Sequence, residues 1–163
     1  MNQINEFLNS VRSAKHAGNT TMLANMRKAE YKSFYAFPFI KDYCDVTNSN
    51  DVEIMATLAF VSSVVISNNR ETFYGNLGQT LASLYSNKQS DTGPRKYHQT
   101  FIRIIESQNV KMFCSLIRSA VKHAISKDKN INLQLLGEDM FDFANRKTRE
   151  SVINSWCRGY LNS

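Results

Sequence analysis

Proline and glycine are scarce: two prolines and six glycines in 163 residues. That excludes collagen-like and Pro/Gly-rich low-complexity chains, and it leaves few helix breakers. Cysteine is equally thin, at three residues (Cys44, Cys114, Cys157) with no C-x-x-C spacing. An odd count without paired ligands excludes a disulfide framework and a structural zinc site. Cys114 and Cys157 lie among apolar helical positions and read as small buried hydrophobes. No apolar run reaches the roughly 20 residues that a bilayer requires. The longest, Ile54 to Ile66, is interrupted by Thr57, Ser62 and Ser63 and reads as a buried core helix. Residues 1–6, Met-Asn-Gln-Ile-Asn-Glu, carry neither a basic nor an apolar leader segment, so a cytoplasmic protein with no membrane partner is expected.

What is present is an ordinary apolar share of 42%, enough for a globular core, and a net charge of +6. The charge is uneven. Residues 1–90 hold eight basic and seven acidic side chains, residues 91–163 twelve and seven. The second half therefore carries most of the positive field, which permits an anionic partner.

Helical periodicity recurs along the chain. Ile4, Phe7, Leu8, Val11 and Ala14 share one face, and Gly18 offers a left-handed stop. A short helix over 21–30 ends in Arg27 and Lys28, where cations suit the helix dipole. Residues 31–43 are dense in aromatics and interrupted by Pro38; most of these rings are expected to pack in the N-terminal core. Asn50, with Glu53 three residues on, resembles a capping box opening the apolar helix, which Asn68-Asn69 ends. Leu77, Leu81, Leu84 and Tyr85 mark a helix after Gly75. The polar run 87–93 is the expected boundary between lobes. Pro94 suits the first turn of the next helix, whose buried face is Tyr97, Phe101, Ile104 and Ile105. Helices are then expected over 110–126, with Phe113, Cys114, Ile117, Ala120 and Val121 inward, over 132–145 and over 146–160, the last burying Val152, Ile153, Trp156 and Tyr160. No strand alternation and no repeat is visible. The expected fold is all-α: about eight helices in two small bundles, an N-terminal lobe over 1–90 and a basic C-terminal bundle over 91–163.

Catalytic chemistry finds little to work with. His16, His98 and His123 lack partners at metal-ligand or general-base spacing. Glu138, Asp139 and Asp142 form the acidic cluster, but a carboxylate pair one turn apart is common on a solvated helix face. There is no phosphate-cradling glycine loop and no nucleophile elbow. No enzyme, metal or cofactor is expected.

The cations are more informative. Lys111, Ser115, Arg118 and Lys122 fall in one stripe of the 110–126 helix, opposite its apolar face. Lys147, Ser151, Asn154 and Arg158 repeat that spacing on the last helix. Neither stripe contains an acid, whereas a solvated face usually interleaves Glu with Lys. Such a field suits contact with a phosphate backbone; the plainer alternative is a solubilising surface. Arg95, Lys96 and Arg103 add cations at another helix, while Arg146 and Arg149 lie off the stripe and suit a protein neighbour.

The order of motifs resembles the small subunit of the type I-E CRISPR Cascade complex, the CasB family. Met26-Arg27-Lys28 resembles its basic pair, and Phe34-Tyr35-Ala36-Phe37-Pro38 the aromatic segment that follows. Leu77-Gly78-Gln79-Thr80-Leu81-Ala82 is similar to its Leu-Gly-Arg-Ala-Leu motif. Phe101 to Ile105 through Leu116-Ile117-Arg118 resembles its C-terminal helix pair. Leu136 through Phe143, then Trp156-Cys157-Arg158-Gly159-Tyr160, resembles its closing pattern. Gln79 stands where Arg is usual and Phe143 where Trp is common.

The resemblance implies an all-helical, non-catalytic subunit, two copies of which line the assembly beside the guide RNA. Its partners would be the large subunit, the backbone subunits, a second copy of itself, the guide RNA, and the target and displaced DNA strands. It would stabilise the R-loop through backbone contacts, because sequence is read by RNA–DNA pairing. The expected contacts are Arg27, Lys28, Arg95, Lys96, Arg103, Lys111, Arg118, Lys122, Lys147 and Arg158. Charge reversal at Arg118 or Lys122 is then expected to weaken DNA capture and spare the fold. The competing reading is a helical protein–protein adaptor without nucleic-acid contact, docking through the aromatic segment.

Overall fold

The computed structural model describes residues 2–85 and 98–163. These form nine α-helices and one 3₁₀ turn: α1 (Asn2–His16), α2 (Thr20–Lys28), the 3₁₀ turn (Ser33–Tyr35), α3 (Phe37–Ile40), α4 (Ser49–Ser67), α5 (Leu77–Tyr85), α6 (Gln99–Ile105), α7 (Val110–Ser126), α8 (Leu133–Ala144) and α9 (Arg149–Leu161). Among the described residues the sole β pairing is an isolated parallel bridge between Glu71 and Ile131. The all-α expectation holds. The expected lobe boundary over 87–93, and Pro94 and Tyr97, lie outside the described residues.

Helix α4 is the axis of the molecule. It is apolar on all sides, and such a helix must be surrounded. With 19 residues and a mean hydropathy of 1.4 it is long and apolar enough to cross a bilayer. Here α1, α2, α3, α7 and α8 pack around it instead, and residues 54–63 are buried throughout. Its serines fit because their hydroxyls donate back into the helix, Ser62 to the Ala59 carbonyl (3.1 Å) and Ser63 to that of Phe60 (2.7 Å). At its C-terminal end Lys15 Nζ donates to the Ile66 carbonyl (2.5 Å), a cation where the dipole favours one. The buried apolar side chains form one cluster drawn from both halves of the chain. Within it α4 packs on α7 and α5 packs on α9.

Several local expectations are corrected. The cap of α4 is Asn48, whose side chain accepts from the Asn50 amide (3.0 Å). Glu53 does not reach back to close a capping box; it turns to Arg118 on α7. Helix α6 starts at Gln99 with His98 as its cap, the ring Nδ1 accepting from the Thr100 amide (3.2 Å). The His98 ring also stacks on Tyr85 at 3.8 Å, so this histidine is a structural clasp between α5 and α6. Helix α9 begins at Arg149 rather than Arg146. The aromatic segment is the largest departure: Tyr31 is 81% exposed and Phe34 60%, and Tyr35 and Phe37 are exposed as well. Pro38 sits in the first turn of α3, and that short helix turns only Ile40 fully inward, with Phe39 half-buried.

The C-terminal core is a stack of Phe113, Phe143 and Trp156, with Phe113 and Phe143 parallel at 4.0 Å. Trp156 donates its indole N–H to Asp139 (2.5 Å), joining α9 to α8. Burial pushes the Asp139 carboxyl up to about 6; the indole bond opposes this, and the Asp142 and Glu138 charges add to it. Cys114 is buried, and its thiol is pushed up to about 12 by that burial, so it is inert.

The direction of the Asp139 shift fixes a pH dependence. The folded state holds this proton up to about pH 6, whereas an unfolded carboxyl releases it near 3.8. The group's stabilising contribution is therefore full below pH 3.8 and is lost as pH rises through 6. Asp139→Asn keeps an acceptor for the indole and carries no charge. Its melting temperature is expected to match wild type below pH 3.8, to exceed it already at pH 5, and to exceed it by several degrees at pH 7.5. Fluorescence of Trp156, the one tryptophan in the sequence, should titrate near pH 6 in wild type and not in the variant. Melting curves that run parallel at both pH values would remove this account.

Candidate nucleic-acid interface

The ten expected cations fall in five pairs. Arg95 and Lys96 lie outside the described residues. Arg27 and Lys28 are exposed at the end of α2, Lys28 with its ammonium 5.6 Å from the Tyr35 ring centre. Arg103 is exposed in the last turn of α6 and Lys111 in the first turn of α7.

Arg118 and Lys122 are different. Arg118 Nη1 donates to Glu53 (2.9 Å) and to the Thr57 hydroxyl (2.7 Å), with the Arg118 side chain 12% exposed and that of Glu53 19%. Lys122 pairs with Glu30, just past the end of α2. The α7 stripe is acid-free on its own helix, but its partners come from α4 and the α2 end, about 60 to 90 residues away in sequence. Two of the stripe's three cations, Arg118 and Lys122, are therefore compensated, contrary to the reading from spacing alone, and Lys111 is left open.

The last-helix stripe does face an open groove. Lys147, Ser151, Asn154 and Arg158 line a depression of about 660 Å³ together with Asn76 and Gln79. Lys147 comes from the turn that precedes α9, and the rest of the stripe from α9 itself. Glu150 lies on the lining as well, so the groove is not free of acid. Among the described residues no carboxylate pairs with Lys147 or Arg158.

The opposite wall is set by local chemistry at the start of α5. Gln79 Oε1 accepts from the Asn76 amide (2.9 Å), and Asn76 Oδ1 accepts from the Gln79 amide (3.1 Å). This reciprocal cap satisfies two free helix-end donors. Asn76 Nδ2 then donates to the Ser155 carbonyl (3.0 Å), pinning α5 to α9. Gln79, which stands where the resembled motif has Arg, is thus a capping residue on the groove wall. The Asn76–Gln79 spacing is a readable cap signal that the sequence reading passed over. Its convergence with Arg158 had no signal in the sequence.

The acidic cluster does not converge. Asp139 is committed to Trp156 and Glu138 to Gln134 (2.7 Å). Among the described residues no three His, Cys, Asp or Glu side chains are gathered as metal ligands would be.

The described chain is thus an all-helical protein with a small polar, cationic groove between α5 and α9. No family model matches the sequence, and no curated protein sequence matches it. The fold is similar to the crystal structure of CasB from Thermobifida fusca, with a TM-score of 0.65 at 14% identity, over 97% of this chain and 95% of that chain. At that identity the likeness establishes a shared fold.

Proposed function

We propose that this chain is the non-catalytic small subunit of a Cascade-type surveillance complex. In this reading it sits beside the guide RNA with a second copy of itself and with the large and backbone subunits. It stabilises the R-loop through backbone contacts to the target and displaced DNA strands. The observation that carries the reading is the end-to-end fold agreement with CasB. The motif order in the sequence supports it independently. The chemistry is also adequate: exchanging a DNA duplex for an RNA–DNA heteroduplex is nearly balanced, so a few phosphate contacts can tip it.

The cations suited to those contacts are Arg27, Lys28, Arg103, Lys147 and Arg158, all exposed. Four to six phosphate contacts give a log–log salt slope of about −3 to −4 on a single strand. Lys122, half-exposed beside Glu30, would have to leave its partner first.

The assembly is tested by native mass spectrometry of the tagged chain from its own host, with and without ribonuclease. A large particle containing guide RNA and two copies of the chain is expected; a lone monomer overturns the reading. The contact is tested by Lys147→Glu/Arg158→Glu. Both side chains are exposed, so stability should move by no more than about 0.5 kcal/mol per site. Target capture should weaken by about tenfold or more, and the salt slope should lose about 1.4 for two contacts. Unchanged capture with an unchanged slope would remove the groove from the interface.

A second reading, a protein–protein adaptor, is favoured by the exposure of Tyr31, Phe34, Tyr35 and Phe37. It predicts partner binding that survives the Lys147→Glu/Arg158→Glu substitution.

A further inference from the structure

A second and larger groove, about 790 Å³, lies apart from the α5–α9 depression. It runs between the segment around α3, the start of α4, the α6–α7 connection and the α8–α9 turn. One wall is apolar: Phe37 and Val46 are 40% and 44% exposed, and Val52 and Val110 are half-buried below them. The other is cationic, with Lys111, Arg146 and Arg149. The lining carboxylate, Glu53, is already spent on Arg118. Arg149 is held in place, its guanidinium donating to the Ser107 carbonyl and lying 4.3 Å over the Phe143 ring.

We infer that this groove docks an acidic segment of a partner protein, anchored by an aliphatic or aromatic side chain between Phe37 and Val46 and by carboxylates at Lys111 and Arg146. Two features favour a polypeptide over a nucleic acid. Three of the four wall residues are valines, which give a base no face to stack on; Phe37 is the one exposed ring of that wall, too few for successive bases, whereas the ring and the valines together seat a hydrophobic side chain. The ring at the basic end, Phe143, is already engaged by Phe113 and Arg149 and offers no stacking platform. Apolar wall and uncompensated cations together match a segment in which an anchor is flanked by Asp or Glu. Volume fits too, since grooves of roughly 300–1,000 Å³ take a few side chains. The inference stands apart from the Cascade reading, because it requires only a partner of this chemistry.

The test is site-specific photo-crosslinking in the chain's own host, with Val46 replaced by p-benzoylphenylalanine and the adduct sequenced by mass spectrometry. The expected adduct is a peptide of another protein carrying an apolar anchor beside two or more acidic residues. Its yield should fall at least fivefold when Lys111→Glu and Arg146→Glu are added, and a synthetic copy of the peptide should compete for it. Both cations are exposed, and an unchanged melting curve shows that the double variant folds. An adduct to nucleic acid, to a neutral or basic peptide, or one indifferent to the charge reversal overturns the inference, as does the absence of any adduct. An acidic adduct together with recovery of the chain outside any RNA-containing particle would uphold this docking site while the Cascade assignment fails. Recovery of the particle without such an adduct would do the reverse.

Discussion

Arg118→Met should destabilise the protein by about 3 kcal/mol, toward the low end for breaking a buried ion pair because Glu53 keeps some solvent contact. The guanidinium is the shared partner of Glu53 and Thr57 between α7 and α4. Removing it leaves a carboxylate and a hydroxyl without a donor on the central helix. Arg118→Glu should be worse, since it sets a second carboxylate against the first. The double variant Arg118→Met/Glu53→Leu should recover most of the loss, because replacing both members of a buried pair is often nearly neutral. Urea unfolding curves measure all three. If Arg118→Met unfolds with wild type while DNA capture falls, the arginine is a phosphate contact after all and the interhelical pair is unimportant. The expectation from helical spacing was the opposite, a surface cation whose reversal spares the fold.

Gly78→Ala should be at least as damaging, at roughly 3 kcal/mol or more. A Cβ at this position would lie 1.9 Å from the Trp156 carbonyl oxygen and 2.7 Å from its carbon. Both atoms are backbone, so α5 and α9 must separate to admit one methyl group. Gly159→Ala meets only the Asn76 side chain, at 2.3 Å. That amide can rotate away at the cost of a helix cap, about 1–2 kcal/mol. Thermal melts followed by Trp156 fluorescence should therefore rank wild type above Gly159→Ala and Gly159→Ala well above Gly78→Ala. Equal melting of the two alanine variants would mean that α5 does not pack on α9 at this separation. A damaged Gly78→Ala variant should also lose the groove that contains Lys147 and Arg158, because Asn76 and Gln79 form its other wall.

Determinants carried in local sequence were legible. Apolar spacing gave α7 to the residue, Val110–Ser126, and placed Phe113, Ile117, Ala120 and Val121 inward. The apolar character of 54–66, broken only by Thr57, Ser62 and Ser63, marked the central helix, because a helix without a charged face has nowhere to go but the core. The stripe Lys147, Ser151, Asn154 and Arg158 was readable because its members lie within 11 residues and face one way.

The tertiary structure decided which charges remain available. Glu53 and Glu30 reach α7 from 65 and 92 residues away, and helical periodicity carries no information about what lies across an interface. The aromatic segment misled for a related reason. Its composition suits a core, but α4 is already enclosed by five helices, so the rings of Tyr31 and Phe34 are left outside. The α5–α9 groove and the apolar–cationic groove each join residues separated by 70 or more positions. By itself the sequence determined the helices, their buried faces and the basic balance of the second half. Only packing, which brings distant side chains within hydrogen-bond range or keeps them apart, determined which cations are neutralised and which stand open to a partner.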